Sequence, residues 1–203
     1  MRTRVLATHP LGLTWVADDQ LLRASHALAH EGRVWLIDPV DVPDAVERAV
    51  ALGEPVAVLQ LFMAHGRDGR AIAARLGVPL WVLPDEIPDS PLRVIGLDRL
   101  RVWRERALWW EDMRGLVVPE AIGTAEHFAV GSGPAGVHIM RRALPPNELR
   151  GLEPEHLLVG HGEPIHGPAA AAALHEALSH SRRDIPRLAL SAPRIVRGIR
   201  ARS

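Results

Sequence analysis

Three short polar loops carry the side chains best suited to chemistry. Each follows an apolar run: Ala64-His65-Gly66-Arg67-Asp68-Gly69 after PVAVLQLFM, Pro119-Glu120 after GLVV, and Gly160-His161-Gly162-Glu163 after HLLV. Histidine, aspartate and glutamate can ligate a divalent cation or transfer a proton near neutral pH. The small residues beside them let the backbone approach a ligand closely. In α/β structures such loops, at strand C-termini, are where sites collect, so the three are expected to converge.

Composition narrows the chemistry. The chain of 203 residues has no cysteine, and all its basic residues are arginine. Disulfides, thiolate catalysis, cysteine-bound metal, Schiff bases and a P-loop lysine are therefore excluded. Any metal must be held by His, Asp or Glu, which points to zinc, iron or manganese. Ser132, in Gly131-Ser132-Gly133-Pro134, lacks the pattern of a nucleophile elbow and reads as a loop. No apolar run reaches membrane-spanning length and no secretory signal stands at the N-terminus, so the expectation is a cytoplasmic protein without a membrane partner.

Charge is unevenly spread. Formal net charge is +0, but residues 181–203 carry seven arginines against Asp184 alone, which leaves the body acidic. A basic tail can bind nucleic acid or anionic lipid. This one lacks the aromatic residues of a single-strand stacking surface, so it is read as a solvated segment or one lying on the acidic body of its own or a neighbouring subunit.

The elements that must position the loops form a mixed pattern. RVWLI (33–37) reads as a strand ending at Asp38-Pro39, and residues 44–52 as a helix stopped by Gly53. Residues 55–63 suit a strand buried on both faces, 70–76 a helix closed by Gly77, and 78–83 another buried strand. Residues 92–97, 100–104, 107–111 and 115–118 read as an antiparallel meander, with a hairpin turn at 111–115. In the third of these runs Trp109 and Trp110 must point to opposite faces. A late strand at 156–159 and an alanine-rich helix at 168–180 follow. Two sheets with helices on the outer faces accommodate this order. Before residue 33 no strand is evident, though Arg23, Ser25 and His26 could reach the mouth of a site.

These segments together resemble the metallo-β-lactamase superfamily. VAVLQLFMAHGRDGRAIAARLGVPLWV is similar to its signature: an apolar strand, His-x-His-x-Asp-His, a helix and a strand. Ala64, Gly66 and Gly69 stand at the three histidine places, Asp68 keeps the aspartate place, and His65 falls between the first two. VWLIDPV resembles the strand ending in Asp before the signature, Glu120 stands for the bridging aspartate, and His161 for the late Gly-His-Gly ligand. The resemblance implies an αββα sandwich of two mixed sheets, with residues 1–180 as one such domain and 181–203 as an arginine-rich tail. It also implies that the first of the family's two metal sites is lost. Asp68, Glu120 and His161, with His65 as a compensating ligand, are left to hold one divalent metal or none, Asp68 being the candidate catalytic group.

Each candidate has a structural alternative. Asp68 could cap the following helix, Glu120 could pair with Arg67, and His65 and His161 could be packed turn residues. His127, His138, His156 and His166 read as surface or structural. The leading expectation is a non-catalytic or weakly catalytic protein that binds a small ligand or a partner, with a homodimer open. The alternatives are a single-metal hydrolase of an ester, thioester or phosphodiester, and a binding protein acting through its tail.

Overall fold

The structure, a computed structural model, describes residues 2–99, 102–130, 133–187 and 190. The strands are β1 (Thr3–His9), β2 (Gly12–Ala17), β3 (Ala24–His30), β4 (Arg33–Ile37), β5 (Glu54–Gln60), β6 (Leu80–Val82), β7 (Leu92–Gly96), β8 (Arg106–Trp110), β9 (Gly115–Val118), β10 (Ile122–Gly123), β11 (Gly136–Val137), β12 (His156–Val159) and β13 (Ile165–His166). The helices are α1 (Pro43–Val50), α2 (Gly69–Leu76) and α3 (Pro168–His180).

The first sheet runs β1-β2-β3-β4-β5-β6. Its first four strands are antiparallel, while β4, β5 and β6 are parallel and joined through α1 and α2. The second sheet runs β13-β12-β9-β8-β7, with β12 parallel to β9. β10 and β11 form a separate small pair.

Residue alternation along the strands builds three apolar layers. On β4, Trp35 and Ile37 enter the layer between the sheets with Leu59, Leu108, Val117 and Leu158, while Val34 and Leu36 face α1 and α2. On β8, Trp110 faces between the sheets and Trp109 faces the α3 side. The adjacent tryptophans thus point to opposite faces, and the arrangement is an αββα sandwich.

Local chemistry sets the helix ends. α1 starts with Pro43 in its first turn and has Asp44 near the N-terminus and Arg48 in the last turn, matching the helix dipole. α2 is closed by Gly77 at φ 68, a left-handed position that glycine adopts without steric cost.

The structure differs from expectation in two places. Three strands precede Arg33, where none was evident. Of the strand expected at 100–104, residues 100 and 101 lie outside the described residues, and Trp103 makes only an isolated bridge to Arg99. The start of the arginine-rich segment packs on the body: the Ser181 hydroxyl donates to the Arg142 carbonyl at 2.8 Å, and Asp184 is buried. The rest of that segment, including Arg194, Arg197, Arg200 and Arg202, lies outside the described residues, as does Ser132. Among the described residues no helix is long and apolar enough to cross a membrane.

Candidate metal centre

The C-terminal ends of β4 and β5 in one sheet, and of β9 and β12 in the other, meet at one rim. Asp38 follows β4, His65 lies in the loop after β5, Glu120 follows β9 and His161 follows β12. Backbone pairing locks this convergence. The Ala24 N–H donates to the Gly160 carbonyl at 2.8 Å, and Thr124 and Ala125 N–H groups donate to the His161 carbonyl. A Cβ at Gly160 would fall 1.9 Å from the Pro119 carbonyl oxygen, so only glycine lets the end of β12 close on the loop bearing Glu120.

Three ligand atoms come together. Glu120 Oε2 is 2.8 Å from His65 Nε2 and 3.1 Å from His161 Nε2, and the two Nε2 atoms are 3.4 Å apart. All three residues are buried. The far nitrogen of each ring is held by an oxygen. His65 Nδ1 donates to Asp38 Oδ2 at 2.9 Å, and His161 Nδ1 donates to the Leu21 carbonyl at 3.0 Å. Asp38 is itself fixed, because its Oδ1 accepts the Leu61 N–H at 2.9 Å.

Without a cation, charge is shared along this row. Burial opposes an imidazolium at His65 and Arg67 adds to that, but the flanking Asp38 and Glu120 carboxylates outweigh both and raise the His65 pKa. Burial pushes the Glu120 carboxyl up, but hydrogen bonds from His161 and His65 dominate and hold it well below the ordinary carboxylate range.

The donor set fits a divalent metal. A tetrahedral zinc with ligand bonds of about 2.0–2.1 Å has ligand–ligand edges of about 3.3 Å, close to the spacings here. Two imidazoles whose other nitrogens donate to a carboxylate and a carbonyl match the supporting contacts of metal-bound histidines. Among the described residues, His65, Glu120 and His161 form the group of three that could hold a metal ion.

A cavity of about 500 Å³ opens over this group, with walls including Leu21, Arg23, Phe62, Arg67, His127 and His138. Arg23 pairs with Asp19 at 2.6 Å. Arg67, whose own φ is 37, gives its guanidinium to the Asp38 and Gly160 carbonyls at 2.8 and 3.0 Å and to the Ala24 carbonyl. His138 Nδ1 accepts the Met140 N–H, and its Nε2 lies 3.4 Å from Glu120 Oε1.

His65, Glu120 and His161 are thus brought together, and Asp68 is not among them. Its Oδ2 accepts the Asp41 N–H at 2.8 Å, and although it stands at the N-cap of α2 its side chain makes no capping hydrogen bond. The carboxylate bonded to His65 on the first-sheet side is Asp38. Arg67 spends its donors on carbonyls instead of pairing with Glu120. Of the N-terminal candidates, Arg23 lines the cavity, whereas Ser25 and His26 are buried.

Sequence reasoning passed over several contributors. His138, expected at the surface or in a structural role, lines the cavity. Asp38, in sequence only a strand end, holds His65, and the apolar strand closing on Asp-Pro is its signal. Glu105 is fully buried, accepts the Glu120 and Ala121 N–H groups at 2.9 and 2.8 Å and takes the Trp103 indole N–H. Nothing in its local sequence marks it.

No family model matches the chain, and no curated protein matches it. Solved structures do. The DIM-1 metallo-beta-lactamase is similar with a TM-score of 0.65 at 12% identity, over 90% of this chain and 98% of that one. A metallo beta lactamase from Erythrobacter litoralis gives 0.60 at 11% identity over 90% and 95%, and TMB-1 gives 0.57 at 14% identity over 91% and 91%. Two sheets stacked with helices outside, matched along nine-tenths of the chain, establish that this protein has the metallo-β-lactamase fold.

Proposed function

We propose that the protein is a single-metal hydrolase whose cation is held by His65, Glu120 and His161. One observation carries this reading: two imidazoles, each with Nδ1 committed to an oxygen acceptor, aim Nε2 at the same Glu120 oxygen. A divalent cation bound there would supply Lewis acidity and bring the ionisation of a coordinated water toward neutral pH.

The protein's own groups have separable tasks. Asp38 keeps the proton of His65 on Nδ1, which leaves Nε2 free to ligate. The Leu21 carbonyl does the same for His161. Leu21 and Phe62 give the cavity an apolar wall that limits water, and Arg23 and Arg67 add positive charge. Such a cavity suits a small ester, thioester or phosphodiester carrying an anionic portion. The fold does not name the substrate, and β-lactams belong in the screen because the similar solved structures are β-lactamases.

The test is metal content by elemental analysis after purification without chelator, on wild type and His161→Ala. About one zinc, iron or manganese per chain, lost in the variant, is the expected result, consistent with three protein ligands and one open position. No metal in either protein overturns the proposal.

A second reading has its own support. The row Asp38–His65–Glu120–His161 is hydrogen-bonded throughout as it stands. A metal-free protein that uses the cavity to bind a small ligand without turnover is consistent with that. Stoichiometric metal together with hydrolysis of any screened ester class excludes this reading.

A further inference from the structure

The cavity over Glu120 has a third imidazole beside the carboxylate. His138 directly follows β11 and lines the cavity wall. Its backbone N–H donates to the Ala121 carbonyl at 3.0 Å, one residue past Glu120. Its ring lies 5.0 Å from the Trp103 ring and 5.4 Å from the Phe128 ring, both of them buried. The imidazole is therefore held in place, yet its side chain is 20% exposed, so a ligand in the cavity can reach it.

The partners of the ring fix which nitrogen carries the hydrogen. The Met140 N–H donates to His138 Nδ1 at 3.2 Å. A backbone amide N–H only donates, so Nδ1 presents its lone pair and the neutral ring has its hydrogen on Nε2. This is the opposite tautomer to that of His65 and His161, whose Nδ1 atoms donate to oxygens and leave Nε2 to a cation. His138 Nε2 has no lone pair to give an ion. It lies 3.4 Å from Glu120 Oε1, beyond the ordinary length of an N–H···O bond, so its hydrogen has room for a closer acceptor. The arginines of the wall are occupied differently: Arg67 gives its terminal nitrogens to three carbonyls, and Arg23 Nε pairs with Asp19.

We propose that the His138 Nε2–H is the substrate-contacting donor of this cavity, binding an oxygen of the substrate's reacting carbonyl or phosphoryl group beside the Glu120 centre. The proposal rests on the hydrolase reading for its reaction, while the contact itself needs only a ligand in the cavity. A donor locked in place before the substrate arrives has no reorganisation to undergo, and its hydrogen bond strengthens as the oxygen gains negative charge. The ligand chemistry it recognises is an oxyanion, or a carbonyl or phosphoryl oxygen that becomes one.

The probe is inorganic phosphate, a tetrahedral oxyanion. It is titrated by calorimetry into the full chain, once zinc-loaded and once chelator-stripped, with zinc content measured on every sample. A lost hydrogen bond to a charged acceptor should weaken phosphate binding in His138→Ala by about tenfold or more, with zinc content equal to that of wild type. His138→Gln, whose amide can place an N–H near the position of Nε2, should recover most of the loss. Nitrogen NMR of isotope-labelled histidine in the metal-free protein should show His138 bare at Nδ1 and protonated at Nε2, and phosphate should move the Nε2–H resonance downfield. Wild type that holds no zinc overturns the single-metal reading, and the metal-free titration then decides the role of His138. Equal phosphate affinity in wild type and His138→Ala, no phosphate binding by wild type in either state, or a hydrogen found on His138 Nδ1 overturns the donor. So does His138→Gln that binds as weakly as His138→Ala.

Discussion

His65 and His26 are both buried and both bonded through each ring nitrogen, yet their pKa values shift in opposite directions. His65 stands between two carboxylates, and its pKa is raised against the pull of burial. His26 stands between a hydroxyl and a carbonyl; burial dominates and lowers its pKa to about 3. Depth is common to the two sites and the charge of the partners is not. A buried imidazole next to anions is one that a cation can replace a proton on. A buried imidazole among neutral dipoles is a structural tie, here joining β3 to the end of β12 only two residues before His161.

The largest effect comes from removing the charge that makes His65 different. Glu120→Gln leaves His65 with Asp38 as its sole anion and His161 Nε2 without its carboxylate. Breaking a buried, hydrogen-bonded charge pair costs about 3–5 kcal/mol. Urea denaturation with chelator present should show a loss of about 3 kcal/mol or more, and the metal content should fall to zero. A loss below about 1 kcal/mol, the range of exposed pairs, would mean that solvent screens the row and that the contrast with His26 is not one of charge.

The neutral site is tested by acid. His26 and His9 both have folded pKa values of about 3 against an unfolded value of 6.5. Between those limits the unfolded chain holds more protons, so stability is complete above 6.5 and is lost as pH falls toward 3. Near pH 5 each of the two should contribute about one proton taken up on unfolding, read as the difference in slope of unfolding free energy between wild type and a variant lacking that histidine, because Glu105 and His65 contribute with the opposite sign in the same interval. His26→Gln should reduce the uptake by about one proton. An unchanged slope in that variant shows that His26 is not the neutral group its contacts require.

How much of this was legible follows from what each residue's partners are. The β4–α1–β5–α2–β6 segment was readable because strands of large apolar residues alternate with helices stopped by glycine, all local signals. β3, Ala-Ser-His-Ala-Leu-Ala-His, was not, because alanine favours helix and Ser25 and His26 look like surface residues. Their burial is made possible by the Val40 N–H and the Val159 carbonyl, 15 and 133 residues away. At the site, Glu120, His161 and His65 were legible as polar residues following apolar strands. Asp68 is placed by its position in a motif, but the loop brings His65 to Glu120 and His161 and turns Asp68 to the Asp41 backbone.

The smallest expected effect tests Glu105, which carries the contrast into the scaffold as a fully buried carboxyl whose hydrogen bonds all come from neutral N–H groups, Arg141 acting on it only through space. Burial, reinforced by the Glu120 carboxylate, raises its pKa to about 7 although three N–H groups donate to it. In Glu105→Gln the amide oxygen can still accept the Glu120 and Ala121 N–H groups, but the amide N–H faces the Trp103 indole N–H, donor against donor. Leaving one buried polar group unsatisfied costs about 1–3 kcal/mol. The pH dependence carries the sign. Between 4.5 and about 7 the folded wild type holds the extra proton, so its stability from this group falls as pH rises through that interval, while glutamine does not titrate. Glu105→Gln should therefore be most destabilising at the acid end and closer to wild type above pH 7. A deficit that grows with pH would show that the three donors, and not burial, set the charge state of Glu105, and that this carboxylate belongs with His65 on the charged side of the comparison.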